Sequence, residues 1–334
     1  MKNRISSFDI ARTFAILITY VAHIVAFQAP DLPLTTGLLI FSPGATMAIL
    51  GFISSSLIAS RGSEWSSKEL TRRIIRIYIP MFLCTAASFV LGQFHHISYD
   101  IKQVVLHLLG LSLFMDWFNV PNNATIGYGL WYVTAILTMY LTLPIQVVLF
   151  RHRNGLVHFV GYSMLCMLLR QFLPSDTSFW TVAVSFGFGV YLVVNGKLSS
   201  IIECSAHKVA PLTFLVLVGS YLALTLPNYN WILGFIIPFY PLALMPFVTS
   251  LADKLPRSLN MAAAWFSEIS YEFFIIQFAL FNGPLWNLVG KQSLLIHILT
   301  SFTMTIFIAF ALNRLGKAIR LAIENYLVLK EKPS

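Results

Sequence analysis

Apolar stretches about as long as a bilayer crossing recur along this 334-residue chain, and that recurrence constrains its fold more than any other feature. Ten can be marked, over about residues 8–28, 36–60, 77–97, 126–150, 155–171, 178–195, 209–226, 231–250, 262–283 and 293–313. A helix needs about 20 apolar residues to cross a hydrocarbon layer roughly 30 Å thick. In lipid every backbone N–H and C=O must be satisfied internally, so such segments are helices. Charged residues make up only 10% of the chain, against about 25% in soluble domains. The mean hydropathy is +0.76. A soluble two-domain protein is excluded. The chain is expected to be all-α and polytopic, with about ten transmembrane helices. It reads as one integral-membrane domain over residues 1–334, with a core at about 5–313, a basic amphipathic tail at 314–334 and no fused soluble domain.

The net charge of +9 does not call for nucleic acid, because its distribution fits a membrane. With the N-terminus placed in the cytoplasm, 18 of the 22 Lys and Arg residues fall on the inner side. Only Lys102, Arg170 and Lys291 fall outside, and Arg12 lies within the first span. A bias of 18 to 3 predicts ten helices with both termini cytoplasmic. The early apolar stretch is interrupted by Asp9 and Arg12 and reads as a retained helix rather than a cleaved signal. Residues 98–125 read as an outer lip or re-entrant segment. There and just before it, His95, His96, His107 and Asp116 could meet a sugar, but a solvated lip is the expected reading. Cys84, Cys166 and Cys204 have neither disulfide-framework nor zinc spacing, and no metal site is expected.

Two places carry polar residues that a lipid-facing helix would avoid. The first span, FDIARTFAILITYVAHIVAF, holds Asp9, Arg12 and His23. A charged side chain at the centre of a span costs about 2.5–3.5 kcal/mol on insertion scales. Eleven residues separate Arg12 from His23, which is three helical turns plus roughly 20°, so both lie on one face roughly 16 Å apart. Asp9 is one turn below Arg12 and is expected to pair with it. Two readings of Arg12 stay open at this stage, an anion ligand or a side chain snorkelling to the interface. His23 is either a working base or a hydrogen-bonded packing histidine. The second place is RRIIRIYIP at the start of the third span, with Arg72, Arg73 and Arg76 at neighbouring helical positions. Guanidinium forks suit phosphate, and positive-inside anchoring alone also accounts for them.

Together these patterns resemble the acyltransferase-3 family of integral-membrane acyltransferases, which O-acetylate surface glycans. That family's first helix carries an acidic residue, then Arg, ten residues and His, matched here by Asp9, Arg12 and His23. Its third helix opens with Arg-x-x-Arg, an aromatic and Pro, matched by Arg73, Arg76, Tyr78 and Pro80. GLWYVTAILTMYL and SEISYEFFIIQFAL echo its fourth-helix and late segments in the same order, so the resemblance spans about residues 5–313. Two positions depart. Ile136 stands where many relatives carry Glu, and Gln277 where many carry His.

The resemblance implies an O-acetyltransferase in the multi-pass cytoplasmic membrane of a bacterium. Acetyl-CoA would be the co-substrate, with no permanently bound cofactor, and a hydroxyl of a capsule, exopolysaccharide, O-antigen or cell-wall glycan the acceptor. The partners are then acetyl-CoA, the glycan and the bilayer, with no nucleic acid, and the oligomeric state is open. Arg12, Arg72, Arg73 and Arg76 would hold the donor, and His23 would take the acceptor proton. Asp9, Trp131, Tyr132, Ser270, Tyr271, Glu268 and Glu272 are the candidate substrate or oxyanion contacts. Glu268 and Glu272 lie one turn apart, and at least one is expected to face a cavity or an Arg. A transporter or flippase of a lipid-linked glycan is the alternative from another class. No internal repeat of the transporter kind is visible. A membrane sensor or scaffold, in which Arg12 and His23 serve folding alone, is the other.

Overall fold

A computed structural model describes residues 6–28, 43–60, 67–94, 100–117, 120, 130–173, 177–225, 234–281 and 294–330. Among these residues there is no strand, and thirteen α-helices form. They are α1 Ser6–Gln28, α2 Pro43–Ala59, α3 Ser67–Phe94, α4 Ile101–Leu108, α5 Ser112–Trp117, α6 Trp131–Arg151 and α7 Gly155–Phe172. Then follow α8 Thr177–Val194, α9 Leu198–Ile202, α10 Ala206–Thr225, α11 Tyr240–Lys254, α12 Arg257–Phe281 and α13 Leu294–Lys330. A helix overlies each of the ten apolar segments.

Six of these helices are long and apolar enough to cross a membrane, at Ser7–Val25, Thr71–Gln93, Trp131–Arg151, Ala206–Ala223, Gly234–Lys254 and Leu295–Asn325. The remaining four fall short for two reasons. The apolar parts of α2 and α8, Gly44–Ala59 and Phe179–Val194, are shorter than a full crossing. Helix α7 carries His158 and Arg170, and α12 carries Ser267, Glu268, Ser270, Glu272 and Gln277. Prolines sit inside α3, α6, α10 and α11, at Pro80, Pro144, Pro211 and Pro246. Membrane helices tolerate them because neighbouring groups re-satisfy the freed carbonyls.

The chain divides into two compact units. The first comprises Met1–Ser63 and Thr138–Ser267. Its centre is the packing of α2 on α8, with α1 laid on α2. Small residues permit the close approach. A Cβ at Gly189 would collide with the Ser55 hydroxyl and stand 2.9 Å from the Phe52 carbonyl. That is the small-residue contact by which membrane helices associate when burial of apolar surface gives no driving force. Phe8 meets Phe52 edge-on at 6.5 Å, and the Thr19 and Thr46 hydroxyls share a 2.7 Å hydrogen bond, so α1 is pinned to α2 at two points. Helices α10 and α11 are joined by Tyr240, whose hydroxyl donates to Ser220 at 2.8 Å, and by Thr213, which donates to the Ala243 carbonyl at 2.9 Å.

The second unit comprises Glu64–Leu137 and Glu268–Ser334. Helix α13 packs on α3. At 37 residues it is about 55 Å long, well beyond a hydrocarbon layer of roughly 30 Å. The basic tail therefore forms one helix with the last apolar segment. Arg314, Lys317 and Arg320 continue the last apolar helix without a break, through Gly316, which lies close against Ile79 and Leu83 of α3.

The segment after α3 forms two short helices, α4 and α5, of 8 and 6 residues, too short to cross. Asp100 caps α4 through the Lys102 N–H at 2.9 Å. Gly110 turns the corner with φ 72°, a left-handed conformation that favours glycine. Tyr78 of α3 donates to the Leu109 carbonyl at 2.7 Å, and Thr134 of α6 to the Gly110 carbonyl at 2.6 Å. The corner is thus tied down from both sides.

Candidate functional site

In the first unit the polar face of α1 meets the start of α12. The Ser267 hydroxyl donates to Asp9 Oδ1 at 2.8 Å and accepts from Arg12 Nη1 at 3.2 Å. Thr13 donates to the Ala263 carbonyl at 3.0 Å just beside it. A third residue thus joins Asp9 and Arg12. Asp9 and Ser267 are buried and Arg12 is half-buried. A buried carboxylate is held by a hydroxyl whose lone pair in turn orients a guanidinium. This is a charge-assisted chain in a place where water is scarce. His23 lies three turns further along the same face and is buried, 8% exposed. The two ends of this face carry a fixed cation and an imidazole.

An apolar groove runs along the other flank of α1, lined by Ile10, Ala15 and Ile18 among others. At 100° per residue Ile10 and Ile18 point roughly 160° and 120° away from Arg12, and Ala15 roughly 60° away, at the border between the groove and the polar face. The groove and the polar face are therefore separate features of the same helix.

In the second unit the three arginines of α3 divide. Arg73 is buried at 8% exposure, Arg72 is half-buried and Arg76 is exposed. Tyr78 and Pro80, which follow them, serve the fold: Tyr78 binds the α4–α5 corner and Pro80 sits within α3. The acidic pair of α12 is tied to α13. Lys317 Nζ reaches Glu268 Oε2 at 2.9 Å, and Asn313 Nδ2 donates to Glu272 Oε1 at 2.9 Å and to the Glu268 carbonyl at 2.9 Å. The expected cation for this pair is thus a lysine, and it meets the half-exposed carboxylate, while the buried one takes an amide. Tyr271 donates to the Ile77 carbonyl at 3.4 Å. Tyr132 is buried edge-on against Phe274 at 5.7 Å, with Trp131 packed on it at 5.8 Å. Ser270 is buried on α12.

No family model, curated protein or solved structure matches the chain. The residues alone carry the functional argument.

Of the two departures from the resembled pattern, Ile136 is buried in the apolar core. Gln277 is fully buried on α12, and neither atom of its amide has a hydrogen-bond partner among the described residues. His107 corrects the expectation of a solvated lip. It is fully buried, and its Nδ1 shares a 2.8 Å hydrogen bond with Ser112. The cause is that α4 is amphipathic: His107 and Val104 face inward while Ile101, Lys102 and Val105 are exposed. Burial lowers its pKa from 6.5 to about 4, so it is a neutral packing residue. His95, His96 and the Asp116 side chain lie outside the described residues. Among the described residues no three His, Cys, Asp or Glu side chains gather as a metal site.

Sequence reasoning missed Ser267. Its neighbours Glu268 and Ser270 drew attention, but a serine in an apolar run gives no signal of its own. The clue available was an unpaid cost: Asp9 and Arg12 in a span require a polar partner from some other helix.

Proposed function

We propose that the chain is an integral-membrane O-acyltransferase. It would move an acetyl group from cytoplasmic acetyl-CoA to a hydroxyl of a cell-surface or lipid-linked glycan. The observation that carries this reading is the polar face of α1, with Arg12 anchored through Ser267 to Asp9 and His23 buried three turns beyond it. Such a face has a use for both its ends: recognition of a polyanion at one and proton removal at the other. The ordered motifs that resemble the acyltransferase-3 family point the same way, as does the distribution of Lys and Arg.

In this reading all ten apolar helices span the cytoplasmic membrane of a bacterium, with both termini inside. Arg12 on α1 and, separately, Arg72, Arg73 and Arg76 on α3 are the candidates to meet the phosphates of CoA. The pantetheine arm runs along the polar face of α1 and brings the thioester to His23. Neutral imidazole accepts the proton of the acceptor hydroxyl as its oxygen bonds to the thioester carbon. The C–S bond then breaks, the ester is formed, and the proton passes to the departing thiolate. The developing oxyanion needs a donor, for which Trp131, Tyr132, Ser270 and Tyr271 are the candidates.

Transfer from labelled acetyl-CoA to glycan in membranes tests the reading. His23→Ala should abolish transfer at normal expression, and Arg76→Ala should chiefly raise the KM for acetyl-CoA. Transfer by His23→Ala at the wild-type rate overturns the role of His23. Unchanged donor affinity in Arg76→Ala returns the α3 cluster to membrane anchoring. Loss of glycan export with no acetyl transfer by the wild type favours the transporter.

A further inference from the structure

The groove on the apolar flank of α1 encloses about 810 Å³ of empty space, its open mouth included. Its floor is made by small side chains: Ala11 and Ala15, one turn apart on α1, and Ala45 at the start of α2, all buried. Its rim is Phe14, Phe247 and Leu251, each exposed. The mouth therefore opens sideways, where a spanning helix meets lipid, and not toward either aqueous end.

The two ends of the groove differ. At one, Thr46 is bonded to Thr19 and Ala45 packs in a cluster with Tyr240, so α1, α2 and α11 converge and close it. At the other lie Ile10 and Leu251, followed on α11 and α12 by the exposed Lys254 and Arg257. From Ile10 to Ile18 is roughly 12 Å along α1, and from Tyr240 to Leu251 roughly 16 Å along α11. Half of a 30 Å hydrocarbon layer is about 15 Å. The groove thus has the depth of one leaflet, a closed apolar end and, just beyond its other end along the chain, two exposed cations. Its lining offers almost no polar atom, because Tyr240 directs its hydroxyl to Ser220.

We propose that this groove is a lipid site that holds one acyl chain of an anionic phospholipid, with its phosphate between Lys254 and Arg257. The apolar chain itself gains little by leaving bulk lipid, which is as apolar as the groove. The basic end supplies the selectivity. Each such side chain near a charged headgroup favours an anionic over a zwitterionic lipid by about fivefold. The proposal is independent of the acyl-transfer reading and concerns another flank of the same helix.

Native mass spectrometry of the purified full-length protein tests it, with phosphatidylglycerol and phosphatidylcholine added in equal amounts. The wild type should retain one phosphatidylglycerol in preference to phosphatidylcholine. Ala15→Leu fills the floor and should abolish retention of both. Lys254→Gln with Arg257→Gln changes only exposed side chains and leaves the floor intact. It should keep one bound lipid and reduce the preference about 25-fold, the product of two fivefold effects. An unaltered preference in that double variant overturns the proposal whatever becomes of Ala15→Leu. So does wild-type retention in a folded Ala15→Leu, or a wild type that binds neither lipid. A dimer peak lost in Ala15→Leu would instead make the occupant a second copy of the chain and would also overturn it.

Discussion

Ser267→Ala removes one oxygen atom from the centre of the candidate site. The hydroxyl is 4% exposed, so water cannot replace it. It gives a 2.8 Å hydrogen bond to Asp9 and takes a 3.2 Å bond from Arg12. Hydrogen bonds to charged groups contribute about 1.5–3 kcal/mol each. The longer bond belongs at the lower end of that range. The opposite charges of Arg12 and Asp9, one helical turn apart, offset part of the loss. The expected net destabilisation is about 2 kcal/mol, read as a lower unfolding midpoint by intrinsic fluorescence in detergent. Function should respond differently. Loss of the anchor frees the guanidinium to several rotamers, and about 1.4 kcal/mol of lost donor binding is a tenfold rise in KM for acetyl-CoA. The kcat should stay within about twofold, because His23 is untouched and only binding common to ground and transition states is removed. Ser267→Thr keeps a hydroxyl and should restore both values. A Ser267→Ala protein with wild-type midpoint and wild-type KM would refute the reasoning, since the relay would then neither join the helices nor set Arg12.

Three further outcomes follow from the fold. His107 is neutral and buried with a pKa near 4, while the unfolded chain titrates near 6.5. Its contribution is therefore full above pH 6.5, is lost as pH falls toward 4 and is flat below, an upper bound of about 3 kcal/mol, and His107→Asn should flatten that slope in hydrogen exchange of the α4–α5 corner. Gln277→Leu replaces a buried amide with no partner among the described residues and should raise stability by about 1–2 kcal/mol in thermal unfolding. A lower midpoint would mean the amide is bonded. Gly189→Val forces a side chain onto Ser55 and Phe52 and should cost about 1–3 kcal/mol or prevent folding, visible as loss of a monodisperse peak on size exclusion.

The ten apolar segments were legible because hydropathy reports directly on what a bilayer requires of a helix, and a helix forms at each. The polar side of the fold was less so. Asp9 and Arg12 announce themselves by their cost in lipid, but Ser267, which joins them, lies 255 residues from Arg12 in sequence and costs almost nothing where it stands. The close approach of α2 and α8 depends on Gly189 and Ser55 being small, and small residues look neutral on any hydropathy scale. His107 misled because a histidine beside Lys102 and Asp100 reads as surface. Only the phase of an eight-residue helix, fixed by its Asp100 cap and the Gly110 turn, decides which way it faces. The basic amphipathic tail, similarly, reads as a segment apart from the core until its unbroken register with the last apolar segment is seen.

Acetyl transfer by sealed membrane vesicles tests the central claim most directly. Labelled acetyl-CoA is supplied on the cytoplasmic face only, and ester-linked label in the glycan is counted for the wild type and for His23→Gln. The account predicts label in the glycan with the wild type and loss of at least a hundredfold with His23→Gln, the scale on which a general base acts. Equal label with both proteins, or none with the folded wild type, would contradict it.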